Sequence, residues 1–158
     1  MKLDDNNPKL LHISWENISH AADSMATHIM RHEKPDVVIA QQDDIIIAAL
    51  VCNIIEVPLC IAHLNNRQNG IILNCIPKLG TPINSGSYYQ PPLPTVAVIS
   101  TFIDNYKNVD ELVSYYQKRK HPVNVLCGYS RKDVDNPPDY SWVKLTKSIS
   151  VDFPWEQQ

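Results

Sequence analysis

The segment Thr95-Val-Ala-Val-Ile-Ser-Thr-Phe-Ile-Asp-Asn-Tyr-Lys-Asn-Val-Asp-Glu-Leu112 passes from an apolar run, through a polar loop, into a helical pattern. Residues 95–99 are β-branched and small apolar, which suits a strand buried on both faces of a parallel sheet. From Asn108 or Val109 onward, Val109, Leu112, Val113 and Tyr116 recur at helical spacing. Asp110 and Glu111 fall in the first turn, where carboxylates favour the positive helix end. Strand, loop and helix in that order aim loop amides and a helix N-terminus at whatever lies above the sheet, as in many α/β proteins that hold a phosphate.

Working outward, the flanks repeat the alternation. Upstream, Ser14 can cap a helix whose apolar residues Trp15, Ile18, Ala22, Met25 and Ile29 step by three and four, ending near Glu33 before Pro35. Val37–Ala40 reads as a short strand. After Gln41–Asp44, the apolar segment Ile45–Ile55 favours a buried helix by its length and alanines, although Ile45–Ile47 also suits a strand. Val57–Ala62 is a second short strand. Downstream, the helix runs to about Lys120, with Lys118-Arg119-Lys120 suiting its C-terminus. Pro122–Cys127 is the next strand and Gly128–Asp135 a polar exit loop. The order implies an α/β fold, a parallel twisted sheet flanked by helices. His28 and His32, four apart on one helix, read either as half of a metal site or as solvated surface histidines, and no third ligand stands at a recognised spacing.

At 158 residues and 18.0 kDa the chain has the length of one domain. A formal charge of -3 offers no wide basic field, which disfavours nucleic acid as a partner. Cys52, Cys60, Cys75 and Cys127 form no Cys-x-x-Cys pair, and the apolar surroundings of three of them suggest reduced, buried thiols. Residues 1–8 are polar and are expected to be mobile. No apolar run suggests export or a membrane span, so a cytoplasmic protein is expected.

The central segment also resembles the type I phosphoribosyltransferases, and among them the xanthine/guanine-type purine enzymes. That family's motif is an apolar strand, an acidic pair, a short apolar step, then Asp-Thr-Gly-x-Thr opening a helix. Here the acidic pair falls on Ser100 and Thr101, and the phosphate loop reads Asp104-Asn105-Tyr106-Lys107-Asn108. The resemblance extends from Trp15 to Glu156. A Trp-Glu pair opens the first helix, and a Pro-Asp-Val strand leads into a loop where the family carries Arg-Gly-Gly; that triplet falls on Gln42-Asp43-Asp44. Phe153-Pro154-Trp155-Glu156, after Pro138-Asp139-Tyr140, is similar to the aromatic segment that ends the purine enzymes. It implies a small C-terminal hood over residues 138–158, whose Phe153 and Trp155 either form the base pocket, close the core, or do both. Residues 64–94 read as an irregular loop or hairpin region: Gly70–Cys75 can be a strand, Asn65–Gly70 is turn-rich, and the proline-rich stretch 77–94 is either a lid or an irregular surface loop.

The resemblance implies a purine, phosphoribosyl diphosphate and magnesium at the sheet's carboxyl edge. Against that, Ser100 and Thr101 offer hydroxyls without charge. Tyr106 stands where a glycine would permit a close backbone approach, and Asp43 and Asp44 would repel a pyrophosphate unless a metal sat between them. The expectation is therefore a degenerate, non-catalytic phosphoribosyltransferase-like protein. It would bind a nucleotide or purine-like ligand, with Asp104 and Lys107 as polar contacts, or a protein partner. The alternative is an active purine phosphoribosyltransferase with Asp104 as proton acceptor and magnesium recruited by Asp43, Asp44 or Asp104. Members of the family are commonly dimers or tetramers, which implies a homo-oligomer.

Overall fold

The computed structural model describes residues 9–65, 70–75, 93–105 and 107–156. Its main sheet has six strands. Five run parallel: Leu59–Asn65 (β3), Val37–Gln41 (β2), Val96–Ile103 (β5), Val123–Arg131 (β6) and Tyr140–Leu145 (β7), in that spatial order. Gly70–Cys75 (β4) pairs antiparallel with β3 at one edge. A second, two-stranded sheet joins the chain's two ends, with Lys9–His12 (β1) parallel to Ile149–Asp152 (β8). The helices are Trp15–Arg31 (α1), Ile45–Ile55 (α2) and Lys107–Gln117 (α3).

Strand periodicity splits the core between the sheet's two faces. Val38, Ala40, Ala97, Ile99 and Leu126 pack with α1 and α2 in one cluster. The alternate residues Val37, Ile39, Val96, Val98 and Val125 pack with Val109, Leu112 and Tyr116 of α3 in the other. Coverage on both faces is why these strands are apolar throughout rather than alternating. α1 begins as its sequence suggests. Ser14 Oγ accepts from the Asn17 amide at 3.1 Å, and the Asn17 side chain accepts from the Ser14 amide at 3.0 Å, a reciprocal cap. Its buried stripe is Ile18, Ala21, Ala22, Met25, Ala26 and Ile29.

The architecture corrects several boundaries. β5 continues through Ile103, so Ser100 and Thr101 are strand residues and not loop residues. β6 continues through Arg131: Tyr129 and Ser130 are buried, and the segment Gly128–Arg131 is strand where a polar loop was expected. Hydroxyls hid the strand. Ser130 Oγ donates to Ser141 Oγ at 3.0 Å, which satisfies a polar group inside the sheet. α3 stops at Gln117, and Lys120 turns the chain at φ 64°. Trp15 is 55% exposed, off the buried stripe. β7 belongs to the main sheet, and the smaller sheet recruits β1, a strand not expected from the sequence. Cys52 and Cys127 are free and buried, and burial raises the Cys127 thiol to about 12. Cys60, in contrast to the expected reduced thiol, is disulfide-bonded; in register it stands opposite Cys75.

Candidate functional site at the carboxyl edge

β2 leaves the sheet at Gln41 and enters a single 3-10 turn, Gln42–Asp44, that leads directly into α2. Asp44 stands at the N-cap of α2, but its carboxylate makes no cap hydrogen bond there. Instead it crosses to β5. The Thr101 amide donates to Asp44 Oδ1 at 2.6 Å, and the Ser100 hydroxyl donates to the same oxygen at a long 3.4 Å. Burial raises the proton affinity of Asp44 above the ordinary carboxylate value; the bonds from Thr101 and Ser100 oppose that shift, and neighbouring Asp43 adds to it. The Thr101 hydroxyl helps hold the carboxylate charged, yet it is buried without a hydrogen bond of ordinary geometry. Ser100 and Thr101 are each 4% exposed, so neither hydroxyl is presented to solvent, and it is the Thr101 backbone amide and the Ser100 hydroxyl that reach the Asp44 carboxylate.

Asp104 follows β5 at the same edge. Arg131, the last residue of β6, donates from Nε to Asp104 Oδ1 at 2.6 Å. The same guanidinium donates to the carbonyls of Thr146 and Ile149, ahead of and within β8. It also lies 5.0 Å over the ring of Phe102. Arg131 is thus a clasp between the loop after β5 and the small sheet. Its side chain is 13% exposed, against 57% for Asp104. Sequence reasoning missed Arg131 because it was read as part of a polar loop; the signal available was an arginine ending a strand in line with the apolar run Val123–Cys127.

An aromatic row continues from the clasp into the C-terminal segment. Phe102 and Phe153 lie 6.2 Å apart, Phe153 stacks on Trp155 at 5.1 Å and 3°, and Trp155 meets Trp15 at 5.9 Å. Phe153 is buried and Trp155 is half-buried, so Trp155 is the ring of the pair that an incoming molecule would meet. The segment is fixed by its own turn: the Glu156 amide donates to Phe153 O at 2.9 Å, and the Phe153 amide donates to Glu156 Oε2 at 3.0 Å.

The structure therefore brings together Asp44, Ser100 and Thr101 in one contact, and links Asp104 to Phe153 and Trp155 through Arg131 and Phe102. Gln42, Asp43, Asn105 and Lys107 are exposed around that edge. Tyr106 and the side chain of Asn108 lie outside the described residues, as do 66–69 and 76–92, so the choice between a lid and an irregular surface loop falls outside them too. For magnesium, Asp44 and Asp104 are each committed to an internal partner. Among the described residues no three acidic, histidine or cysteine side chains are grouped to hold a metal. No helix among the described residues is long and apolar enough to cross a membrane.

Compared by sequence, the chain matches no protein-family model and no curated protein. Compared by structure, it is similar to a purine phosphoribosyltransferase from Pyrococcus horikoshii, with TM-score 0.70 and 19% identity over 95% of each chain. It is similar to the xanthine-guanine-hypoxanthine phosphoribosyltransferase of Helicobacter pylori, with TM-score 0.67 and 12% identity over 94% of this chain and 93% of that one. A hypothetical protein from Neisseria gonorrhoeae with bound ppGpp is similar at TM-score 0.68 and 14% identity, over 94% and 90% of the two chains. The five parallel strands, the helices on both faces and these whole-chain similarities establish that this chain has the type I phosphoribosyltransferase fold, as seen in purine phosphoribosyltransferases.

Proposed function

We propose that this chain is a phosphoribosyltransferase-like protein that has given up the transfer reaction and binds a purine nucleotide at the carboxyl edge of its sheet. The observation that carries this reading is the inward carboxylate of Asp44, 2.6 Å from the Thr101 amide. The amide is spent on an internal anion, and a second anion brought to the same spot would meet Coulomb repulsion in a partly desolvated setting. Ser100 and Thr101 add no charge to orient ribose hydroxyls or a metal-bound shell. Two elements of the transfer site are thereby altered together, each independently unfavourable to phosphoribosyl diphosphate.

What supports retained recognition is the other half of the edge. The purine would rest against Trp155, backed by Phe153, with its polar rim toward Asp104 and Arg131. Exposed Asn105 and Lys107 would face the phosphate end. The bound ppGpp of the similar Neisseria gonorrhoeae protein supports a nucleotide as the ligand class.

The test is a turnover assay with phosphoribosyl diphosphate, magnesium and guanine, xanthine or hypoxanthine, run beside equilibrium binding of GMP and ppGpp to the same sample. The expected result is saturable nucleotide binding without pyrophosphate release. Sustained nucleotide formation that disappears in Asp104→Asn would instead establish the active transferase with Asp104 as proton acceptor. Failure to bind any nucleotide would overturn the proposal and leave a protein partner as the reading to pursue.

A further inference from the structure

At the opposite, amino-terminal edge of the sheet, a pocket of about 280 Å³ lies between the end of α1 and the starts of β5 and β6. Its floor is apolar, made by Ile29, Ala97 and Leu126. Its rim carries the carboxylates of Glu33 and Asp139 and the rings of His28 and His32. The volume is just under the roughly 300 Å³ at which ligand pockets usually begin, so it suits a small molecule.

The electrostatics of the pocket have one sign. Among the described residues no lysine or arginine lines it, while Glu33 and Asp139 do. It also lies at the C-terminal end of a 17-residue helix, the negative end of the helix dipole, where His32 bonds the carbonyls of His28 and Ile29. His28 does not offset this. Burial and the neighbouring His32 lower its proton affinity, against a smaller opposing pull from Asp139, so its surroundings disfavour a positive ring. Asp139 is held in place, because the Val125 amide donates to its Oδ2 at 2.7 Å. That leaves Oδ1 without a hydrogen-bond partner among the described residues. One wall is flat: His28 stacks on His32 at 4.2 Å and 27°, and on Tyr140 at 4.3 Å and 26°.

We propose that this pocket binds a small organic cation with a flat apolar body, of the aryl amidine or arylalkylamine class, its charge meeting Glu33 and Asp139 and its ring lying over the apolar floor beside the histidine stack. Charge complementarity selects a cation, two carboxylate residues on one pocket suit a group with several N–H donors, and the ring stack suits a planar body. Nothing in this proposal depends on the nucleotide reading of the carboxyl edge, which lies at the other end of the strands.

The experiment is a titration of ¹⁵N-labelled full-length protein with benzamidine, and with benzamide and benzoate as neutral and anionic molecules of similar shape. Benzamidine is expected to give saturable shifts of the Ile29, His32, Val125 and Asp139 amides. Benzamide should bind about tenfold more weakly, as a charge-assisted hydrogen bond exceeds a neutral one, and benzoate should leave these amides unmoved. Glu33→Gln, at an exposed position that preserves shape, should weaken benzamidine about tenfold, while Asp104→Asn at the far edge should leave it unchanged. Equal shifts from all of the probes, shifts that rise linearly without saturation, or wild-type affinity in Glu33→Gln would each overturn the proposal.

Discussion

The two ends of the same parallel sheet treat their charges in opposite ways. At the carboxyl edge, where a phosphoribosyltransferase fold places its chemistry, the charged groups have turned to one another: Asp44 to the Thr101 amide, Asp104 to Arg131. At the amino edge, Glu33 and Asp139 line an open pocket, with Asp139 anchored there by the Val125 amide. A fold that presents a ready-made site at one edge does not guarantee that its polar groups remain available there. At Ser100 and Thr101 the strand's backbone donor is met by a neighbouring carboxylate, that of Asp44, and under the proposed function this contact is what closes the site to a second anion.

The sharpest way to break this comparison is to remove the clasp. Arg131→Ala strands Asp104, withdraws donors from Thr146 O and Ile149 O, and opens the face of Phe102. The expected loss is about 2–3 kcal/mol in urea unfolding. A loss no larger than that of Glu33→Gln, an exposed change expected to stay within about 0.5 kcal/mol, would show that the carboxyl edge is not held by its own charges.

Gly128→Ala tests the packing beneath that edge. An added Cβ would meet Ile47 Cδ1 and the Thr101 carbonyl at 3.2 Å each, and the carbonyl belongs to a strand that cannot yield freely. The expected cost is about 2 kcal/mol, with amide shifts at Thr101 and α2 but not at Asp139. Equal shifts at both edges would mean that the two are mechanically one unit.

Ser14→Ala removes the cap of the helix that spans both edges, at about 1 kcal/mol. Its amide shifts should concentrate at Trp155 and the small sheet, since Trp15 and Ile13 contact that end. Shifts of similar size at His28 and His32 would contradict this.

The smallest effect is the most diagnostic in sign. Burial raises Asp44 in the folded state, so its contribution to stability is fully present below its ordinary value of 3.8 and is lost as pH rises through the folded value. At neutral pH the buried charge is a cost. Asp44→Asn keeps an acceptor for the Thr101 amide without that charge. The variant should be more stable than wild type at pH 7, and the advantage should shrink on acidification. A difference that does not change with pH would remove the charge from the explanation.

Much of the fold was legible because its signals are local and repeated. The apolar runs at Val37 and Val96, the helical stripe of α1 and the Ser14 cap each needed only a few neighbouring residues to read. What escaped was polar strand. Ser100, Thr101 and Gly128–Arg131 read as loop because hydroxyls and a glycine weaken the apolar pattern, yet pairing across the sheet satisfies them. β1 escaped because its partner, β8, lies at the far end of the chain, a pairing that no local pattern encodes. The site was half legible for the same reason. Sequence placed Asp44 and Asp104 near the edge, but their partners lie across the fold, 57 and 27 residues away in the chain. The amino-edge pocket was hinted at only by His28 and His32, whose further partners Asp139 and Tyr140 come from the other end of the chain.

Under the proposed function, the carboxyl edge recognises a purine nucleotide and does not receive the diphosphate substrate. The most direct measurement is isothermal titration of the purified chain with phosphoribosyl diphosphate plus magnesium and, separately, with purine mononucleotides. The account predicts heat from a mononucleotide and none from the diphosphate. Diphosphate binding at micromolar affinity, about -8 kcal/mol, would contradict it, because Asp44 and the substituted strand would then still form the substrate site.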